Sequence, residues 1–375
     1  MRFVLYTHSL VSDWNHGNAH FLRGVLRELQ SRGHDTLALE PENGWSRANL
    51  LAEHGPAAAA RFHSDFPDLT VRTYGPDFDH EVAVDHADVV LVHEWNEPSL
   101  IARLGVIRRR GGRFTLLFHD THHRAASDDG FIAGLALQDY DAVLVFGEAL
   151  RQRYLQRGWG RQVFTWHEAA DTRLFYPRAP ASELADLVWI GNWGDGERER
   201  ELNEFLIEPS RRLRLTGTIR GVRYPDAALA ALRRTSLHYG GWIANADVPD
   251  IFGAHRMTVH VPRRPYVTAL PGIPTIRVFE ALACGIPLVC APWNDEEQLF
   301  RSADFLVARN GDEMATRLDL LRKDGDFARA LAESGLETIQ QRHTCAHRVD
   351  ELLGIVQSFR GGVTANSPAL TEVAA

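Results

Sequence analysis

Apolar residues along the chain gather in short continuous runs, separated by longer stretches in which they recur at helical spacing. Residues 1–7 form the first run, and residues 19–32 follow as a helix with Phe21, Leu22, Val25, Leu26 and Leu29 on one face. Gly33 and His34 end that helix before a second strand at 35–39. Strands are predicted again at 70–74, 88–93, 113–118, 141–146 and 163–166. Val89 to Val92 and Phe114 to Phe118 carry almost no polar residue, the pattern of strands buried on both faces. Such βα alternation builds a doubly wound parallel sheet whose ligands bind beyond the strands' carboxyl ends. A second series starts at Leu187 to Ile190, includes a strand between Pro287 and Pro292, and ends in helices at 311–323, 326–341 and 347–359.

Between the second series' loops and its later helices lies the most informative stretch, residues 270–292. Thr275 is a good helix N-cap, Val278, Phe279 and Leu282 form an apolar stripe, and Gly285 suits the left-handed residue that closes a helix. Arg277 and Glu280 then share a face near the helix N-terminus, with Ile276 at its start, where free N–H groups favour an anion. A carboxylate there can accept hydrogen bonds from vicinal hydroxyls while the Arg and the helix end hold a diphosphate. The alternative is an i,i+3 ion pair on a solvated helix.

Residues 187–198 are a strand entering a turn, Gly191-Asn192-Trp193-Gly194-Asp195-Gly196, whose glycines let backbone N–H groups approach a phosphate. Arg198 follows that turn, and Arg256, Arg263 and Arg264 are further cations, Arg263 the preferred one. In the first half, the loop 8–18 carries His8, Trp14, Gly17 and Asn18 after the first strand; Gly17 reads equally as a tight turn. His119-Asp120-Thr121-His122-His123 ends another strand, where polar side chains project toward a ligand crevice or cap the next helix. Adjacent ligands diverge in a loop, so no metal site is expected.

The phrase R-x-F-E-A-x-A-C-G-x-P at 277–287 resembles the donor-binding helix of two-domain glycosyltransferases, and the nearest group is the CgeB-like (spore maturation protein-like) family, related to retaining GT-B enzymes of the GT4 type. The resemblance implies an α/β fold of two Rossmann-like doubly wound domains facing a central cleft. It implies Glu280 on the donor ribose, with Arg277, Ile276, Thr275, Gly191, Asn192, Trp193, Arg198 and Arg263 around the donor. It gives His119 a contact near the transferred sugar, with Asp120 beside it as the other catalytic candidate. The loop of His8, Trp14, Gly17 and Asn18 resembles the family's S-x-W-G-N-G-H segment on the acceptor side. The sequence departs from many retaining relatives at Gly272, where they carry a Glu. Residues 1–178 are expected to bind the acceptor and 179–345 the nucleotide sugar, with 346–360 a helix crossing back to the first domain and 361–375 a loose tail.

Composition adds limits. With 375 residues there is chain for two full cores, and a net charge of -8 from 41 basic and 49 acidic residues argues against a nucleic-acid coat. No run is long and apolar enough to span a membrane, the first strand does not read as a signal peptide, and a bacterial cytoplasmic location is expected. The three cysteines lack a C-x-x-C pair and read as buried thiols. The expected function is therefore sugar transfer from a nucleotide-diphosphate sugar, UDP first and GDP or TDP as alternatives, to an unspecified acceptor, with retention and without metal or cofactor. The rival readings are a nucleotide-sugar epimerase and a non-catalytic binding protein of the same fold. Were the enzyme to invert, Asp120 or Asp13 would be the base.

Overall fold

A computed structural model describes residues 1–179 and 184–360; residues 180–183, just past the expected domain boundary, and the whole expected tail lie outside these. The first sheet contains β1 (Arg2–Tyr6), β2 (Asp35–Pro41), β3 (Val71–Tyr74), β4 (Val89–His93), β5 (Thr115–Asp120), β6 (Ala142–Val145) and β7 (Val163–Thr165). All are parallel, in the order β3-β2-β1-β4-β5-β6-β7. Every residue of β4 is buried, because helices cover both faces of a parallel sheet. The second sheet contains β8 (Ala185–Ile190), β9 (Thr216–Arg220), β10 (Ser236–Tyr239), β11 (His255–His260), β12 (Leu288–Cys290) and β13 (Leu306–Val307), parallel in the order β10-β9-β8-β11-β12-β13. Each sheet reverses its winding beside its first strand, between β1 and β4 and between β8 and β11. That switch point is where loops splay apart and leave a crevice.

One core runs through the junction of the two sheets. Phe21 and Leu22 of the helix Ala19–Ser31, Trp166 after β7, and Phe279 and Leu282 of the helix Ile276–Ala283 belong to the same buried cluster. Gly24 allows this: a Cβ there would stand 2.5 Å from Cys345 Sγ and 2.7 Å from Asp171 Cβ. The final helix, Cys345–Arg360, packs against Ala19–Ser31, and Trp166 Nε1 donates to the Arg348 carbonyl at 2.8 Å. Polar bridges join the facing edges: Arg61 donates to both oxygens of Asp247, and Asp13 accepts from Trp242 Nε1 at 3.2 Å and Asn245 N at 3.0 Å.

Candidate active site

The carboxyl edges of the two sheets face each other across a cavity of about 540 Å³. On the second domain's side the chain leaves β8 through Gly191 and Asn192. A Cβ at Gly221, whose φ is +148°, would stand 2.1 Å from the Gly191 carbonyl oxygen, so this close pairing of two backbone segments requires glycine. The turn then bends through Gly194 and Gly196, both at positive φ, and delivers Arg198 back under the cavity. Arg198 is buried and donates to the carbonyls of Val261 (3.0 Å) and Asn192 (2.5 Å). Among the described residues no carboxylate pairs with it, and its Nε has no partner. Burial, then the neighbouring Arg263, lowers its pKa to about 10. A cation held out of water without a counter-ion is costly unless an anion joins it.

Arg263 and Arg277 line the same cavity, as does the start of the helix Ile276–Ala283. Arg263 pairs with Glu197 at 2.8 Å; burial acts to raise the Glu197 pKa, but hydrogen bonds from His123 and Arg263 hold it at about 2. Thr275 occupies the N-cap position as expected, yet its hydroxyl bonds His260 Nε2 at 3.0 Å instead of capping the helix, which leaves the first-turn N–H groups without a side-chain cap. Gly285, at φ +63°, does close the helix.

Glu280, expected on the donor ribose, is fully buried and does not line the cavity: His20 from the first domain bonds Oε1 at 3.0 Å and Arg277 bonds Oε2. The Asp171 backbone N–H donates to His20 Nε2 at 2.8 Å, which fixes the neutral tautomer that donates from Nδ1 to Glu280. Burial acts to raise the Glu280 pKa, but Arg277 and then His20 more than offset it, so the carboxylate stays ionised. Glu280 thus aims Arg277 at the cavity from behind. Trp193 also lies elsewhere, buried in the second domain's core with Nε1 donating to Glu199.

Facing these residues, the first domain brings His8, Gly17 and Asn18 to the cavity. A Cβ on Gly17 would come within 3.2 Å of Ile276 Cγ2, so the loop meets the donor helix at a residue with no side chain. Asn18 Nδ2 donates to Glu168 at 2.8 Å. Glu168 lines the cavity from the segment after β7, and burial, then Glu280, raises its pKa against the opposing pull of Arg277.

His119, Asp120 and Trp14 do not reach the cavity. His119 lies inside the sheet between Phe21 and Trp166, and burial lowers its pKa to about 3. Asp120 is walled in by the Tyr154 hydroxyl (2.7 Å) and the His122 N–H (3.0 Å). Trp14 packs with Leu50 and Ala59, its Nε1 donating to Glu53. The strand-end segment does contribute, through Thr121 and His122 just past β5. Asp13 borders the cavity but is fixed by Arg23, Trp242 and Asn245. Residues with no earlier assignment there are His16, Trp45, Trp95, Glu168 and Tyr266. Among the described residues no group of three or more His, Cys, Asp or Glu side chains is arranged to hold a metal, and no helix is long and apolar enough to cross a membrane.

Two parallel-sheet domains facing across a cleft at their carboxyl edges define the GT-B class of architecture. Residues 198–354, under half of the chain, match the family described as "Glycosyl transferase-like", and the chain as a whole shares the GT-B fold. Solved structures of similar fold include Anabaena HepE in complex with UDP and glucose (14% identity, 96% of this chain and 100% of that one, TM-score 0.69). Sucrose-phosphate synthase from Thermosynechococcus elongatus is similar at 14% identity, over 96% of this chain and 99% of that one, TM-score 0.64. An alpha-glucosyltransferase bound to UDP and a 13-mer DNA containing an HMU base matches at 10% identity, 95% and 99% coverage, TM-score 0.68. No curated protein matches the chain by sequence.

Proposed function

We propose that the protein transfers a sugar from a nucleoside-diphosphate sugar, UDP-linked in the first instance, to a hydroxyl acceptor with retention of configuration, as a CgeB-like enzyme would. One observation carries the reading: among the described residues no carboxylate pairs with the buried cation Arg198, which is set beside Arg263, Arg277 and the start of the helix Ile276–Ala283 on one wall of the cavity. A diphosphate supplies the missing negative charge there.

Breaking the anomeric C–O bond puts charge on the departing diphosphate and leaves the sugar ring electron-poor. Fixed cations in a partly dry cleft stabilise the first of these changes more in the transition state than in the ground state. In retention the acceptor oxygen approaches on the face the diphosphate leaves, and the diphosphate takes the acceptor's proton. The placement of the acids supports this route: Asp120 is sealed off, Asp13 is held by Arg23, Trp242 and Asn245, and Glu168 accepts from Asn18, so none stands free as a base. Glu168 suits instead a hydrogen bond to the donor sugar, the role left open by Gly272, and Glu280 serves the donor by orienting Arg277.

The test is a screen of purified protein against UDP-, GDP- and TDP-sugars, with and without a mixed acceptor pool, following free nucleotide and sugar products by mass spectrometry. Release of one nucleotide class with a glycosylated product or slow donor hydrolysis is expected. Conversion of the donor into an isomer would move the reading to an epimerase, and binding without turnover to a non-catalytic protein.

A further inference from the structure

The two walls of the cavity differ in chemistry. Every arginine that borders it, Arg198, Arg223, Arg263 and Arg277, belongs to the second domain. The first domain's wall includes His8, His16, Trp45, Trp95, Thr121 and His122, with the carboxyls of Asp13 and Glu168 and the amides of Asn15 and Asn18 beside them. Trp45 lies parallel to His8, with ring centroids 5.1 Å apart and planes 7° apart, and its centroid is 6.0 Å from that of Trp95 at 60°. Both indoles are only half-buried, so two aromatic surfaces meet at a corner open to the cavity.

Beside that corner, His8 and His16 are buried, and neither ring nitrogen of either finds a hydrogen-bond partner. Burial lowers the His8 pKa to about 3, so the ring is uncharged at neutral pH and offers one donor and one acceptor. Buried polar groups without partners are costly, and a bound group that bonds them recovers that cost.

We propose that this wall binds an uncharged sugar ring, so that the acceptor is a neutral glycoside or glycan. A pyranose has an apolar C–H face for an indole and a rim of hydroxyls, each both donor and acceptor, for neutral imidazoles. Arg124, over the Trp95 ring at 4.0 Å, is paired with Glu94 at 2.7 Å and does not border the cavity, so among the described residues a phosphorylated or carboxylated acceptor finds no unpaired first-domain cation there, and an alkyl chain would leave His8 and His16 without partners. The inference rests on the donor reading above. In the step it describes, the acceptor hydroxyl oxygen bonds the anomeric carbon, the bond from that carbon to the diphosphate oxygen breaks, and the hydroxyl proton leaves on the diphosphate.

Isothermal titration separates the two readings. UDP is titrated first into the full-length protein, and the UDP complex is then titrated with methyl hexopyranosides, maltose and cellobiose, and in parallel with glucose 6-phosphate and glucuronate. At least one neutral sugar should bind, with affinity about tenfold above its anionic counterpart and falling about tenfold in Trp95→Ala, while UDP affinity changes less than about twofold. Trp45→Phe, which keeps an aromatic ring and guards against misfolding, should retain part of the sugar affinity that Trp45→Ala loses. The proposal is overturned if UDP binds and only anionic sugars follow, if none follows, or if the bound sugar ignores both tryptophan substitutions. Absence of UDP binding with tryptophan-dependent sugar binding intact would strike the donor reading alone.

Discussion

Replacing Glu280 by Gln separates direct donor contact from orientation of Arg277. The side chain is fully buried between His20 and Arg277, and an amide of the same shape removes the charge and sets an N–H₂ against one of two existing donors. Removing one partner of a buried ion pair costs about 3–5 kcal/mol. Because Arg277 is 26% exposed and partly screened by water, about 2–3 kcal/mol is the better expectation. Urea unfolding should show that loss as a lower midpoint. Calorimetric titration should show UDP and inorganic pyrophosphate both weakened by about tenfold, since a misdirected Arg277 fails any diphosphate equally. Weaker UDP with unchanged pyrophosphate would mean that Glu280 touches the ribose, and unchanged stability would refute the buried network itself.

Two further outcomes follow from the buried titratable groups. Burial lowers His8, His119, His260 and His343 to about 3, so the stability they contribute is full above the unfolded value near 6.5 and is lost as pH falls through it. Glu94 and Asp120, raised by burial to about 8 and about 6, oppose this by gaining protons in the folded state as pH falls. His16, His34, His80, His93, His122 and His255 act with the first set and Glu168 with the second. The lowered histidines outnumber the raised carboxyls, so stability should fall from pH 7.5 to 5.5, and a urea midpoint at pH 5.5 equal to or above that at pH 7.5 would contradict it. Because burial raises the Glu168 pKa and favours its protonated form, Glu168→Gln should keep the donor KM within about twofold while Glu168→Ala raises it about tenfold; equal damage in both would show that the ionised form is needed.

Much of the architecture was legible because parallel strands buried on both faces leave apolar runs such as Val89 to Val92, and because Gly285 marks a helix end locally. Side-chain partners were less so. Spacing brought Arg277 and Glu280 together, but His20, which bonds Glu280 from the other side, lies 260 positions away in sequence. The same holds for Thr275, whose hydroxyl is drawn to His260 on β11. At the end of β5 the signal reached the right segment and the wrong residues: His119 and Asp120 still belong to the buried strand, and only Thr121 and His122 emerge. Trp45 and Trp95 meet only when the segments after β2 and β4 converge, which no local pattern reveals; Trp95, directly past a buried strand at the sheet's switch point, was the more findable of the two.

The direct test of a diphosphate site built around an unpaired cation is Arg198→Met, followed by thermal unfolding with and without UDP. Wild type should gain about 2.7 kcal/mol at a hundredfold excess of UDP over its dissociation constant. The substitution removes a buried charge but also its bonds to the Val261 and Asn192 carbonyls, so the ligand-free protein should unfold within about 2 kcal/mol of wild type while the gain from UDP disappears. A ligand-free protein that is clearly destabilised, yet still stabilised by UDP as wild type is, would show that Arg198 serves the fold and that the donor binds elsewhere.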